Sequence, residues 1–232
     1  MRRAGAGVFA SLVVLMGCAL GVGVATAAKP PTNTSSVTIG VASNPVVFGH
    51  TTFISGVVSG KKAAGATVTL EENTAPFTGG FTAVRSTKAN ALGHYTFRAG
   101  PTLNTRYRVV AKAAPLARSA VKLVNVKVGV TLSVSTRFPK AGSRVRFSGF
   151  VLPAYNGKFA QIQRHTPTGW KTVAQVQLLA ASNGSTAIGS VPRSHYGKRL
   201  KINKNGTYRV RFDPKDGLRL PNTSPSRGLT VH

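Results

Sequence analysis

The sequence predicts an all-β chain made of one unit used twice, and three observations carry that prediction. Apolar and polar residues alternate with a period of two along segment after segment. One stretch of the chain repeats without a gap. No window of helical length holds a 3.6-residue period, and the Ala-, Lys- and Leu-rich stretch 111–124 is interrupted by Pro115.

The alternation is clearest where Val145, Phe147, Gly149 and Val151 interleave with Arg144, Arg146, Ser148 and Phe150. Tyr107 and Val109 alternate with Arg106 and Arg108, and Tyr208, Val210 and Phe212 alternate with Arg209 and Arg211 in the same phase. Side chains leave a strand on opposite faces in turn, so the tyrosines and valines are expected to be buried and the arginines to face water. Asn183-Gly184, Asn205-Gly206 and Asp216-Gly217 supply turn signals between runs. About seven short strands per copy, spaced near ten residues, predict two antiparallel sandwiches.

The repeat sets residues 37–58 over residues 130–151 at an offset of 93, with seven identities in 22 positions. Val37/Val130, Thr38/Thr131, Gly49/Gly142, Ser55/Ser148 and Gly56/Gly149 are among them. "NTRYRVVAK" at Asn104 and "NGTYRVRFD" at Asn205 recur at an offset of 101, so the second copy carries extra loop residues in its second half. The copies are assigned to 37–128 and 129–232. Val124, Val126, Val128, Val130, Leu132 and Val134 keep one alternating phase through the boundary near Gly129. The last strand of the first copy is therefore expected to run almost directly into the second, restricting their relative orientation.

Ahead of the repeat, Arg2 and Arg3 precede an apolar run from Val8 to Val24 and the small-x-small pattern Ala25-Thr26-Ala27. This reads as a secretory signal peptide over 1–27, with 28–36 as an exposed leader. Leu15-Met16-Gly17-Cys18 offers an alternative, a lipobox whose Cys18 would carry lipid, but the residues after Cys18 stay apolar to Ala28. Arg2-Arg3 could also open a twin-arginine signal, though the apolar residues expected just after such a pair are missing. Secretion is the expectation. Cys18 is the chain's one cysteine, so the mature chain has none, and thiol chemistry and disulfide staples are excluded there.

The order "FISGVV…GATVTL…GHYTF…YRVVAK…VKLVNV", echoed by "RFSGFV…FAQIQR…GWKTVAQV…GTYRVRFD…GLTV", resembles the tandem immunoglobulin-like domains of secreted proteins from high-GC Gram-positive bacteria. The resemblance spans nearly all of residues 36–232. It rests on a G-x-V turn after the second strand, a G-W-x-x-V strand at Gly169, Trp170 and Val173, and G-x-Y entries at Gly93-His94-Tyr95 and Gly206-Thr207-Tyr208. These motifs are structural. What the resemblance implies is a spacer, adhesive or carbohydrate-associated module, and it carries no catalytic residue across.

No catalytic constellation is legible. The four acids are Glu71-Glu72, whose side chains should leave opposite faces of a strand, and Asp213 with Asp216 in a turn. The five histidines, His50, His94, His165, His195 and His232, show no metal spacing and none adjoins an acid. A nucleophile elbow, a P-loop and a dinucleotide fingerprint are all missing. The chain reads as a non-enzyme with no cofactor and no metal. The rival reading, a hydrolase or metal-dependent enzyme, requires His165 or His195 to meet Asp213 or Asp216 in a cleft.

Charge is the remaining signal. The chain has 31 Lys and Arg against four Asp and Glu, and a net charge of +27. Small domains usually carry a net charge of about 2–8 in magnitude. Arg193, Lys198, Arg199, Lys201, Lys204, Arg209 and Arg211 fall in one acid-free run, and Arg144 and Arg146 join them from an outward strand position. The first copy adds Arg106, Arg108, Lys112, Lys122 and Lys127. A cationic face of this kind attracts anionic polymers, and secretion points to those of the cell wall or the extracellular space, including acidic polysaccharide and DNA. With its aromatics expected inside, sequence-specific nucleic-acid readout is not expected. The opposing reading is that outward strand positions must be polar and are filled here with Arg and Lys without any partner, which leaves a passive spacer. A sortase-type signal does not follow "SPSRGLTVH", so retention on a wall would be non-covalent.

Overall fold

The computed structural model describes residues 34–232; the signal-peptide reading over 1–27, Cys18 and most of the leader lie outside the described residues. Every regular element in it is a strand, and none is a helix. No described helix is therefore long and apolar enough to cross a membrane.

Two sheets form from the first copy. In one, Thr52–Ser59 pairs antiparallel with Ser36–Val37 and Gly40–Val41 on one side and with His94–Ala99 on the other. In the other, the order is Lys122–Val124, Thr105–Lys112, Thr67–Thr74, Thr82–Lys88. The second copy repeats both. Ser143–Leu152 lies between Gly129–Val130 with Ser133–Val134 and the long strand Ser194–Ile202. Phe159–Thr166 lies between Gly169–Gln177 and Gly206–Phe212. Pairing begins at Ser36, inside the expected leader, and Ser35 beside it is buried.

The inward phase read from the sequence is the observed one. Tyr107, Val109, Tyr208, Val210 and Phe212 are buried, as are Val145, Phe147 and Val151. They feed two separate cores. One gathers residues from Val37 to Val124, the other from Val128 to Leu229, and each takes side chains from both of its sheets. Gly149 lies inside the strand Ser143–Leu152, as its place in the alternation implies, and Gly56 lies inside the matching strand Thr52–Ser59. A Cβ at either position would collide with a backbone carbonyl oxygen, that of Thr38 or Thr131, and with the hydroxyl of Tyr95 or Tyr196. Those same carbonyls accept the hydrogen bonds of Tyr95 and Tyr196. Glycine is required there because a tyrosine hydroxyl occupies the space that a side chain would fill.

The six alternating residues across the boundary all point inward, but into three places. Val124 belongs to the first core, and Val128, Val130 and Leu132 belong to the second. Val126 forms a small third cluster with Phe48 and Val191. There, Val126–Lys127 pairs parallel with Val46–Val47, the one parallel ladder among the described strands.

The extra residues of the second copy explain Val191. They fall between Gly169–Gln177 and Ser194–Ile202 and form a hairpin, Gly184–Thr186 with Gly189–Val191. This hairpin reaches back to the first copy, where the Ala187 N–H donates to the Gly49 carbonyl at 2.9 Å and Ile188 packs against the third cluster. Arg219 ties the junction from another side. Its Nε donates to the Thr102 carbonyl at 2.7 Å and one Nη to the Tyr155 hydroxyl at 3.1 Å, and it pairs with Asp216 at 3.4 Å. The described residues accordingly cluster as one compact unit although they have two main cores.

Candidate functional site

The nine cations singled out in the sequence do not form one face. Strand register divides seven of them between two sheets whose inner residues share a core, so the two groups point away from each other. On the first sheet, Arg144 stands directly opposite Lys201 and Arg146 directly opposite Arg199. All four are exposed, and no acid lies among them. Like charges directly opposite on one sheet face repel. Lys198, next to Arg199, has the inward parity but is exposed, and its Nζ donates to the Gln175 carbonyl of the other sheet at 3.1 Å. Lys204 lies beyond the end of this strand, on the rim of an open hollow shared with Arg164, Lys201 and Tyr208.

The corresponding positions of the first copy carry different chemistry. The offsets that superpose the ladders place Phe53 opposite Arg98 where the second copy has Arg146 opposite Arg199. Thr51 and Gly100 stand in for Arg144 and Lys201. One cation therefore occupies four positions in the first copy, and Arg98 Nε is bonded to Thr51 Oγ1 at 3.1 Å. The four-cation ladder is a property of the second copy alone.

On the second sheet, Arg209 and Arg211 face outward opposite Gln163 and Gln161. Arg209 lies over the ring of Trp170, with Cζ 4.1 Å from the centroid, and its Nε donates to Gln163 Oε1 at 2.9 Å. Partial burial, and then the nearby Arg211, pull its pKa below the ordinary guanidinium value. His165 meets the edge of Trp170 at 5.0 Å between ring centres. Arg211 pairs with Asp213 at 3.2 Å. Arg193 precedes the strand Ser194–Ile202 and reaches the outer face of the first sheet by stacking on Phe150, which shares the outward phase of Arg144 and Arg146, at 3.8 Å, and it donates to the Ser182 carbonyl at 3.0 Å. It borders a groove of about 560 Å³ between the hairpin and the first copy.

Sequence reasoning missed this stacking. Arg106 lies over Phe77 at 4.3 Å, Arg108 over Phe81 at 4.2 Å and Arg219 over Phe48 at 5.4 Å. The aromatics expected inside thus include several that lie flat beneath surface arginines. The one available signal was an aromatic just before, or at the start of, an edge strand, as at Phe81 and Trp170.

The acids and histidines are occupied separately. Glu71 pairs with Arg108 at 2.6 Å, and Asp216 accepts from the Tyr155 hydroxyl at 2.8 Å and from the backbone N–H groups of Leu218 and Arg219. Burial pushes the Asp216 carboxyl up, yet these hydrogen bonds and the Arg219 charge together hold it below its ordinary value. His195 Nδ1 lies 2.9 Å from the Ala180 carbonyl. Neither His165 nor His195 is hydrogen-bonded to Asp213 or Asp216. Among the described residues no three of His, Cys, Asp and Glu gather closely enough to hold a metal ion.

Compared with known proteins, the chain matches no protein-family model and no curated sequence.

Proposed function

We propose that this chain is a secreted, non-enzymatic binding protein of two tandem immunoglobulin-like sandwiches, whose second copy holds it to anionic polymers of a cell envelope. One observation carries the reading. Arg144, Arg146, Arg199 and Lys201 form two directly opposed like-charge pairs on an exposed sheet face, where the first copy has a single cation. If outward positions were merely filled with basic residues, both copies would carry them. A repulsive ladder confined to one copy is retained at a cost to stability, and an anionic partner would offset that cost. The partner is a polymer because the four charges lie spread across two adjacent strands instead of converging on a cleft.

The test is the salt dependence of binding between the purified protein and isolated wall polymer. Replacing all four cations with glutamine should lower the slope of log affinity against log salt by roughly one per charge removed. An unchanged slope would rule out the ladder as the contact and leave the passive spacer.

A further inference from the structure

The arginine stack exists in both copies, and the copies differ at one decisive atom. Arg108 and Arg209 occupy the same place in the repeated Tyr-Arg-Val strand. Each lies over an aromatic at the edge of its sheet, Phe81 at 4.2 Å and Trp170 at 4.1 Å. Each donates its Nε to the residue directly opposite on the neighbouring strand, Glu71 Oε2 at 2.6 Å and Gln163 Oε1 at 2.9 Å. A carboxylate neutralises the first guanidinium. An amide anchors the second without neutralising it.

Arg209 is therefore fixed in plane and orientation while keeping its charge. Among the described residues the chain supplies no acceptor to its two Nη groups. A guanidinium held this way presents parallel N–H bonds whose spacing matches the two oxygens of a carboxylate. Arg106, which stacks on Phe77, has no Nε anchor of this kind.

The surroundings narrow the ligand further. Gln161, Gln175, Thr172 and Thr207 share the outward face with Arg209 by strand register. Amides and hydroxyls both donate and accept, which suits a chain of sugar hydroxyls better than a row of phosphates that only accept. We infer that the face around Arg209, Trp170 and Gln163 binds a carboxylate-bearing polysaccharide, the uronate carboxylate on the Arg209 fork and the neighbouring hydroxyls on the amides. In the first copy the corresponding guanidinium is neutralised by its own Glu71, bonded through Nε. The site lies on the sheet opposite the cationic ladder and does not depend on it.

Trp170 is the chain's one tryptophan, so its fluorescence reports on this site alone. The full chain is titrated with polygalacturonate at physiological ionic strength, with polyphosphate of matched charge in parallel. Polygalacturonate should change Trp170 emission saturably. Gln163→Glu, which installs the arrangement that the first copy already tolerates, should weaken that binding about tenfold or more. Arg209→Lys keeps the charge but loses the fork and should weaken it comparably. Circular dichroism and thermal midpoints confirm that both variants fold. Wild-type affinity in either variant overturns the proposal. An equal or stronger saturable response to polyphosphate overturns the assignment to an acidic sugar. Loss of wall binding through the ladder would leave these results unaffected, so the two readings fail separately.

Discussion

Gly56 and Gly149 are each closed over by a carbonyl and a tyrosine hydroxyl, and this small arrangement fixes much of what the repeat conserves. Gly149→Ala should cost about 1–3 kcal/mol, because the added methyl meets backbone that cannot yield, and urea unfolding would measure it. The tyrosines give a second prediction at this scale. All five are pushed upward, chiefly by burial, Tyr95 and Tyr155 to about 12. A raised folded value means that the contribution to stability is intact below the unfolded value of 10.0 and lost as pH rises through the folded one. Absorbance of tyrosinate should therefore stay low at pH 10 and rise later, together with unfolding; half-ionisation at pH 10 would contradict the burial described. The burial phase of these residues was legible, because alternation marks inward positions directly. The partners of their polar atoms were not, since Thr38 and Thr131 are distant in sequence and meet the tyrosines only through strand register.

Two facing strands, Ser143–Leu152 and Ser194–Ile202, carry the functional reading. Their like-charge pairs imply that binding and stability oppose each other. Arg146→Glu should stabilise the fold by roughly 0.2–1 kcal/mol, since it turns an Arg–Arg pair into an Arg–Glu pair, while weakening attachment to anionic polymer. Thermal unfolding and polymer binding on the same variant check both directions; a loss of stability would remove the argument that the ladder is kept for a partner. The cations themselves were legible as a run. Their division between two sheets was not, because Arg199 and Arg209 lie on different strands that turn to opposite sides of one core. Likewise Glu71 and Gln163 show no relation in the sequence until the ladders place each beneath an arginine.

Across the whole molecule, the two copies are joined by more than the continuous valine phase that the sequence displayed. The hairpin Gly184–Val191 and the Arg219 network also couple them. Arg219→Ala should cost about 1–3 kcal/mol by removing the charge-assisted hydrogen bonds to the Thr102 carbonyl and the Tyr155 hydroxyl together with the ion pair to Asp216. Asp216 adds a pH signature. Its folded value lies below the ordinary 3.8, so its stabilising contribution is present above about pH 4 and is lost as pH falls through the lower folded value. Asp216→Asn should flatten that acid limb in a pH series of denaturation midpoints. The extra loop length of the second copy was visible as a change in repeat offset; that it folds back on the first copy could not be read, because hairpin docking depends on Gly49, Phe48 and Val126 meeting it in space.

The central claim is electrostatic retention on an envelope, and the most direct measurement is fractionation of the native host into medium, wall and membrane. The wall fraction is washed with rising salt, for the wild type and for the protein with Arg144, Arg146, Arg199 and Lys201 all replaced by glutamine. The account predicts wild-type protein on the wall, released by salt, and the variant released at lower salt or lost to the medium. Wild-type protein wholly in the medium, or released only by detergent, would contradict it.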